Sequence, residues 1–440
     1  MTKTTETHES AAEQSLHHVH HGGIEKTKDE TAKKKNRVKL GKYAMLLGYQ
    51  GKKYFGMQIQ KDMPTIEMHL LDAMLKLGWI SPEQRANPFS IYFQRAARTD
   101  KAVSAARQMC GMQLPQRDDY YKLDGAADLN KILPEDIRVF GMRRATNWFH
   151  PQKQCDNRTY SYTTPTFVFA KPDQLTDSSF RITKEVVDEV NSILEIFLGT
   201  HNFFNYTAKR AYNDQSCNRY IISFKCGEPF LFKDPYREQE VEFITITIKG
   251  QSFVLHQIRK MIGMVITVIR ELQLKSAIQK SFEGKRLDIP MAPGLGLLLE
   301  RTHYDSYDRK HSATHEPLTF WGDIVEAEAE RVKFELITKE MLETELLTQG
   351  MMKWLTDLNS HDYLADPEAE EPPSKTFVTM AVACANKALE SEAMEAEEDV
   401  KAEPELEEAI TTQPGEVEDF KAETTEQIKE EEAEKKSTAL

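Results

Sequence analysis

The sequence predicts an α+β protein in which two α/β units of similar design pack together, followed by helices. Three observations carry this. Strand-like apolar segments and amphipathic helical segments recur in both halves of the chain. Beyond residue 320 the pattern is helical, as in WGDIVEAEAERVKFELITKEMLETELL. At both ends the composition turns polar and charged with few large apolar residues, which reads as disorder. The expected organisation is a basic-ended tail (1–38), a first half (39–150), a second half (151–312), a helical extension (313–366) and an acidic tail (367–440).

In chain order, residues 1–38 end in the basic run Lys33, Lys34, Lys35 and Arg37, with Lys39 just beyond. That run suits a nuclear import signal, a phosphate-facing arm or a solvated charge cluster. Acidic residues among 1–30 do not suit a mitochondrial presequence. His17, His18, His20 and His21 lie in low-complexity sequence and read as an unstructured tract rather than a metal site. Tyr43–Tyr49 is apolar enough for a buried strand. In PTIEMHLLDAMLKLG (64–78), Ile66, Leu70, Leu71, Met74 and Leu77 share one helical face and Gly78 can close the helix. KEVVDEVNSILEIFLG (184–199) repeats the device, with Thr183 as N-cap and Gly199 as the stop. VEFITITI (241–248) alternates as a strand. SFVLHQIRKMIGMVITVIREL (252–272) reads as a long apolar helix with Leu255, Ile258, Ile262, Val265 and Ile269 on its buried stripe.

Composition narrows the function class. The hydrophobic share, 40%, suits a globular protein, and no apolar run reaches the roughly eighteen residues a membrane helix needs. Cys110, Cys155, Cys217, Cys226 and Cys384 are scattered without a C-x-x-C pair, against a structural zinc site or a disulfide framework. The net charge of −13 is an average over unlike parts. Residues 367–440 hold 22 Asp/Glu against 7 Lys/Arg, a net of −15, so the remaining residues carry +2. Local charge decides whether a phosphate backbone can approach, and the body does not exclude one.

Four constellations can carry chemistry. FQRAARTDKAVSA (93–105) sets Arg95 and Arg98 before a single acid, Asp100, on a segment that otherwise reads as interior. A surface ion pair is the plain explanation; a carboxylate kept charged in a dry cleft is the sharper one. CDNRTYSYTTPTF (155–167) alternates, with Arg158, Tyr160 and Tyr162 on one face if extended. Tyr162 reads as core, whereas a tyrosine beside a carboxylate can offer its ring to a nucleobase. Arg259 borders the buried stripe of 252–272 while Lys260 points away, and it either snorkels to solvent or pairs with an anion. APGLGLLLER (292–301) has glycines but no following Lys-Ser/Thr, so it reads as a turn entering an apolar strand rather than a triphosphate loop.

These four segments, in this order, resemble the tRNA pseudouridine synthase A (TruA-type) family, and within it the eukaryotic branch of pseudouridylate synthase 1 proteins. YQGKKYFGMQ (49–58), GTHNFFNYT (199–207) and MMKWLTDL (351–358) match as well, so the resemblance spans roughly residues 40–365. It implies two α/β halves, each with an antiparallel sheet, around one cleft. It also implies isomerisation of uridine to pseudouridine in tRNA without cofactor or metal, by a monomer. By the same resemblance Asp100 is the catalytic carboxylate, and Arg98 enters the helix stack where the target base leaves it. Tyr160 packs on the flipped uracil, Arg259 holds the Asp100 carboxylate, and Pro293 and Leu297 wall the cleft. The closest branch implies the anticodon stem region as target, with messenger and small nuclear RNAs open as further substrates. A nuclear location follows from the basic run plus the resemblance, with a mitochondrial pool left open.

Two positions depart from the pattern. The family's eukaryotic phrase reads D-K-G-V-S-A, and here Ala102 replaces the glycine; downstream, Arg107 stands where glycine is common. A position that needs φ > 0 would strain the loop beside Asp100. Two other readings stay open on sequence alone. One is an RNA-binding or chaperone protein of the same fold that has lost turnover. The other is a scaffold whose acidic tail and C-terminal helices recruit protein partners.

Overall fold

Among the described residues ten strands follow one another in chain order, most of them on an alternating or apolar run. In the first half, β1 (Leu40–Tyr49) is buried on both faces after Leu40, as a strand covered on both sides must be. It pairs antiparallel with β3 (Ser104–Pro115) and with β4 (Ile137–Arg144), while the short β2 (Gln94–Arg95) pairs with β3 at Gly111 and Cys110. In the second half, β5 (Asn157–Pro165), β6 (Gly199–Asn202), β7 (Asn218–Cys226), β8 (Phe230–Lys233) and β9 (Glu240–Gly250) pair antiparallel. The computed structural model describes residues 38–208, 210–361 and 363. The basic run up to Arg37, the histidine tract 17–21 and the acidic segment 367–440 lie outside the described residues.

The last strand, β10 (Leu297–His303), joins the halves. It runs parallel to β3, Leu298 beside Ser104 and Leu299 beside Ala105, and antiparallel to β5. The two expected sheets are therefore one mixed sheet of order β4-β1-β3-β10-β5-β9-β7-β6, with β2 on β3 and β8 on β9.

Helices cover one face of each half. Helix Ile66–Lys76 begins where the Thr65 hydroxyl accepts from Met68 N, and Gly78 at φ +66° closes it, as its sequence predicts. Helix Lys184–Leu194 is capped by Thr183, but it ends before Gly199, whose φ of +89° opens β6 instead. The apolar helix starts at Gln257 rather than Ser252, because His256 turns left-handed at φ 66°. Leu255, expected on the buried stripe, is consequently 51% exposed, whereas Ile258, Ile262, Val265 and Ile269 are buried. Lys260 also departs from expectation: it is partly buried, and its Nζ donates to Asn205 O at 3.0 Å.

Part of the helical extension covers the opposite face, while Met351, Leu355 and Leu358 near its end join the helix-side core of the second half. Ile337 and Met341 pack on Ala106 of β3 and Leu298 of β10, and Leu342 and Leu346 on Val241 and Phe243 of β9. Arg107, flagged as a lost glycine, lies within β3 without a positive φ. Its buried guanidinium binds Glu326 and Glu330 of helix Asp323–Val332, each at 2.9 Å, and Arg301 of β10 binds the same Glu326 at 2.6 Å. The replacement thus supplies an anchor rather than a strain. Truncating one member of a buried pair leaves the other charge without its partner. Arg107→Ala is expected to lower stability by about 3 kcal/mol, read from the midpoint of denaturant unfolding at unchanged m-value.

Candidate active site

Asp100 sits in the loop between β2 and β3, and the YQGKKYFGMQ segment cradles that loop. Ala102 N donates to Tyr54 O at 3.1 Å, Met57 N to Thr99 O at 3.2 Å, and Gly51 N to Ser104 Oγ at 2.9 Å. The two glycines of the segment are needed for contact. A Cβ on Gly51 would meet Val103 O at 2.4 Å, and one on Gly56, at φ +91°, would meet Thr99 O at 2.7 Å. From beneath, the buried Tyr49 hydroxyl hydrogen-bonds Thr99 Oγ1 at 2.8 Å. Gln108 grips Ala97 twice, accepting from its N at 3.1 Å and donating to its O at 2.9 Å. Arg158 completes the clamp by donating to Ala96 O and Gln251 O, both at 2.9 Å, which ties the first half to the end of β9.

The arginines of the opening phrase do different jobs. Arg95 pairs with Glu67 at 2.7 Å, and Glu67, nearly inaccessible, also accepts from Ile59 N. Burial pushes the Glu67 carboxyl up while Arg95 opposes it. Arg98 is exposed, and among the described residues it makes no hydrogen bond or ion pair. Asp100 itself is partly buried, and its carboxylate likewise accepts no hydrogen bond from a described residue. Burial pushes Asp100 above the usual carboxylate range, and the charges of His256 and Arg259 pull the other way.

Those two groups stand at the start of helix Gln257–Ile269. Arg259 does not close to an ion pair with Asp100; its Nε donates to Ala292 O at 2.6 Å, and its guanidinium lies under Gly294, whose Cβ would sit 3.6 Å from Cζ. The 290–296 turn therefore holds the guanidinium in place while it acts on Asp100 through space. His256, three residues before Arg259 and given no role on sequence, is the electrostatic neighbour that acts on Asp100 ahead of Arg259. Its left-handed backbone is visible only in three dimensions.

Tyr160 belongs to β5 between Leu299 of β10 and Ile248 of β9. It packs against the cores of both halves at once, and Phe253 meets its ring edge-on at 5.3 Å between centroids. Burial pushes its hydroxyl up to about 12, with Asp100 adding to the effect. Tyr162 is core, as its alternation predicts: it is buried, and its hydroxyl donates to Pro293 O at 2.8 Å. Leu297 pairs with Tyr162 across the ladder and is buried. The structure thus brings Asp100, Tyr160 and Arg259 together, sets Pro293 and Leu297 behind them through Tyr162, and leaves Arg98 facing solvent. A free carboxylate, an aromatic ring, a guanidinium and an imidazole around one spot suit a reaction at a sugar carbon bearing a planar base. Among the described residues, no group of three or more His, Cys, Asp or Glu is placed to hold a metal ion.

Comparison with known proteins gives a consistent picture. A family model described as tRNA pseudouridine synthase matches residues 193–305, which include β7, β9, Arg259 and β10. The chain is 36% identical to the mouse (Mus musculus) protein named pseudouridylate synthase 1 homolog, over 76% of this chain and 78% of that one. It is 37% identical to the human (Homo sapiens) protein of the same name, over 73% and 74% of the two chains. It is 31% identical to the protein of Yarrowia lipolytica named tRNA pseudouridine synthase 1, over 71% and 72%.

Ala102 does adopt the strained conformation that its sequence position raised: φ is +63°, two residues after Asp100. A left-handed backbone costs a Cβ-bearing residue roughly 1 kcal/mol. Ala102→Gly should accordingly raise stability by about 1 kcal/mol in chemical denaturation, and an unchanged or lowered midpoint would mean that the loop carries no such strain.

Proposed function

We propose, from the premise that this chain belongs to the tRNA pseudouridine synthase family and is an isomerase, that Asp100 is its reacting carboxylate and Tyr160 its base-stacking platform. The observation that carries this is the state of Asp100: partly buried, held by a backbone cradle, free of hydrogen bonds from the described residues, and beside His256, Arg259 and Tyr160.

The chemistry requires three things of such a site. The target uridine must leave its stack, at a cost of a few kcal/mol. Arg98, exposed and unpartnered among the described residues, would offset this by filling the vacated space. The N-glycosidic bond must then break, and Asp100 serves either by attacking the sugar or by removing a proton from it. Both routes start from the ionised carboxylate, which the Arg259 cation favours against burial. Finally the detached uracil must turn and re-attach through C5 at the same sugar carbon. This displaces Asp100 where it has attacked, or comes with the sugar proton returned where it was removed, while C5 gives up its proton and N1 gains one. The Tyr160 ring, wedged between two cores and abutted by Phe253, keeps the uracil in place. Pro293 and Leu297, fixed through Tyr162, support the neighbouring wall.

The reading extends to tRNA uridines in the anticodon stem region, to a monomer, and to a nuclear location supported by the basic run at 33–39. Messenger or small nuclear RNAs would be accepted where they present a comparable structure.

Incubating unmodified tRNA transcript with the wild type should yield pseudouridine at discrete positions by chemical mapping. Asp100→Asn, similar in shape but without charge, should cut the rate by at least about a thousandfold while tRNA still binds; turnover close to wild type would remove Asp100 from the chemistry. A second measurement concerns pH. Removing the Arg259 cation takes away a force that lowers the Asp100 pKa, so the carboxyl stays protonated to higher pH. Arg259→Gln should shift the acid limb of the single-turnover rate upward in pH relative to wild type, and a limb that stays put or moves down would contradict the coupling.

A further inference from the structure

One guanidinium on the helix-covered side of the sheet has no partner among the described residues. Arg219 begins β7 opposite His201 of β6, two residues before the core residue Ile221 and on the same face of its strand. It is partly buried, its Nε is inaccessible and unsatisfied, and among the described residues it makes no hydrogen bond or ion pair. A guanidinium withdrawn from water without an acid is costly unless an anion arrives.

Its electrostatic neighbours are of both signs. Burial pushes Arg219 below the ordinary arginine range; the neighbouring Arg210 and Arg158 add to this, against Cys217 and Asp214. The Cys217 thiol is itself pushed up by burial, so it offers no charge. Asp214 is already committed, to Arg210 at 2.7 Å and to Ser216 N at 2.8 Å. Arg286 sits on the Phe204 ring at 4.5 Å and spends its donors on Phe204 O and Arg210 O, holding the backbone of Arg210 in place.

Strand register places this cluster relative to the candidate active site. Arg158 pairs with Gly250 and Gly250 with Ile221, so Arg158 and Tyr160 of β5 lie along the same face as Arg219, two strands away. With strands ~4.8 Å apart and residues rising ~3.3 Å, Arg219 lies roughly 15 Å from Tyr160. That is on the order of two to four nucleotides along an RNA strand. Gly250 leaves the intervening row open to Phe253, whose ring tip would lie 2.8 Å from a Cβ there.

We propose that Arg219, flanked by Arg158 and Arg210, is a phosphodiester subsite that holds the substrate RNA a few nucleotides from the flipped base. A planar guanidinium can meet two phosphate oxygens at once, and the one nearby acid, Asp214, is already held by Arg210. The subsite rests on the RNA-isomerase reading above for its ligand, yet it is separable from that reading by experiment.

The test uses the full-length chain and unmodified tRNA transcript, with dissociation constants measured across a salt series and single-turnover rates at saturating RNA. Arg219→Gln is expected to weaken binding about five- to tenfold near 0.1 M salt and to reduce the slope of log affinity against log salt by about one contact. Its saturating single-turnover rate should match wild type. Arg219→Lys keeps the charge and should keep the slope. Unchanged affinity and slope in Arg219→Gln would overturn the proposal. So would a weakening of equal size at every salt concentration accompanied by a lowered melting temperature, since that marks a structural role. If the wild type formed no pseudouridine, the isomerase reading would fall, while the salt slope of Arg219→Gln would still decide the subsite.

Discussion

The parallel pairing of β3 with β10, Leu298 beside Ser104 and Leu299 beside Ala105, is the constraint on which the site depends. It is short, yet it makes two antiparallel units into one sheet and sets the distance between their functional groups. Asp100 lies four residues before Ser104, and Tyr160 lies directly across from Leu299. A one-residue slip would turn Tyr160 to the opposite face and exchange it for Ser161 or Thr159. The cores confirm how closely the halves are stitched: Val103 of the first half packs into the core of the second, and Leu299 into the core of the first. The helical extension reinforces the seam from behind, because Arg107 and Arg301 grip the same Glu326 from β3 and β10.

Given that register, the state of Asp100 follows from competing effects. Burial raises its pKa, and a close ion pair would lower it but occupy its oxygens. The structure takes a middle course. His256 and Arg259 act from beyond ion-pair contact, Arg259 being tied to Ala292 O, so they oppose part of the effect of burial and leave the carboxylate oxygens open to a substrate. The loop that carries it tolerates a left-handed Ala102 because Tyr54, Met57 and Tyr49 bind the backbone and side chains on either side.

Much of this was legible in the sequence. Periodicity located the helix Ile66–Lys76 and its closing Gly78, the Thr183 cap of the next helix, the strand at 241–248, the core role of Tyr162 and the turn before β10. Spacing cannot report a single left-handed residue, so the helix at 252–272 was drawn too long and Leu255 was placed inside. Nor can it report partners distant in the chain. Arg95 belongs to Glu67, Lys260 to a carbonyl, and Arg107 to a helix more than two hundred residues away. Arg107 is instructive, since a missing glycine suggested strain, and the tertiary environment instead supplied two carboxylates.

The same partners resolve the charge of the molecule. On the side covered by the extension, cations meet acids: Arg107 and Arg301 with Glu326, Lys333 with Glu300, Lys52 with Glu340. Around the candidate site they meet carbonyls instead: Arg158 with Ala96 and Gln251, Arg259 with Ala292, Lys260 with Asn205, Arg286 with Phe204 and Arg210. A carbonyl orients a cation without cancelling its charge. A chain of net charge −13 can therefore still hold cations whose charge is not cancelled and offer them to a polyanion. What decides RNA affinity is the identity of each cation's partner, which no sum over the sequence contains.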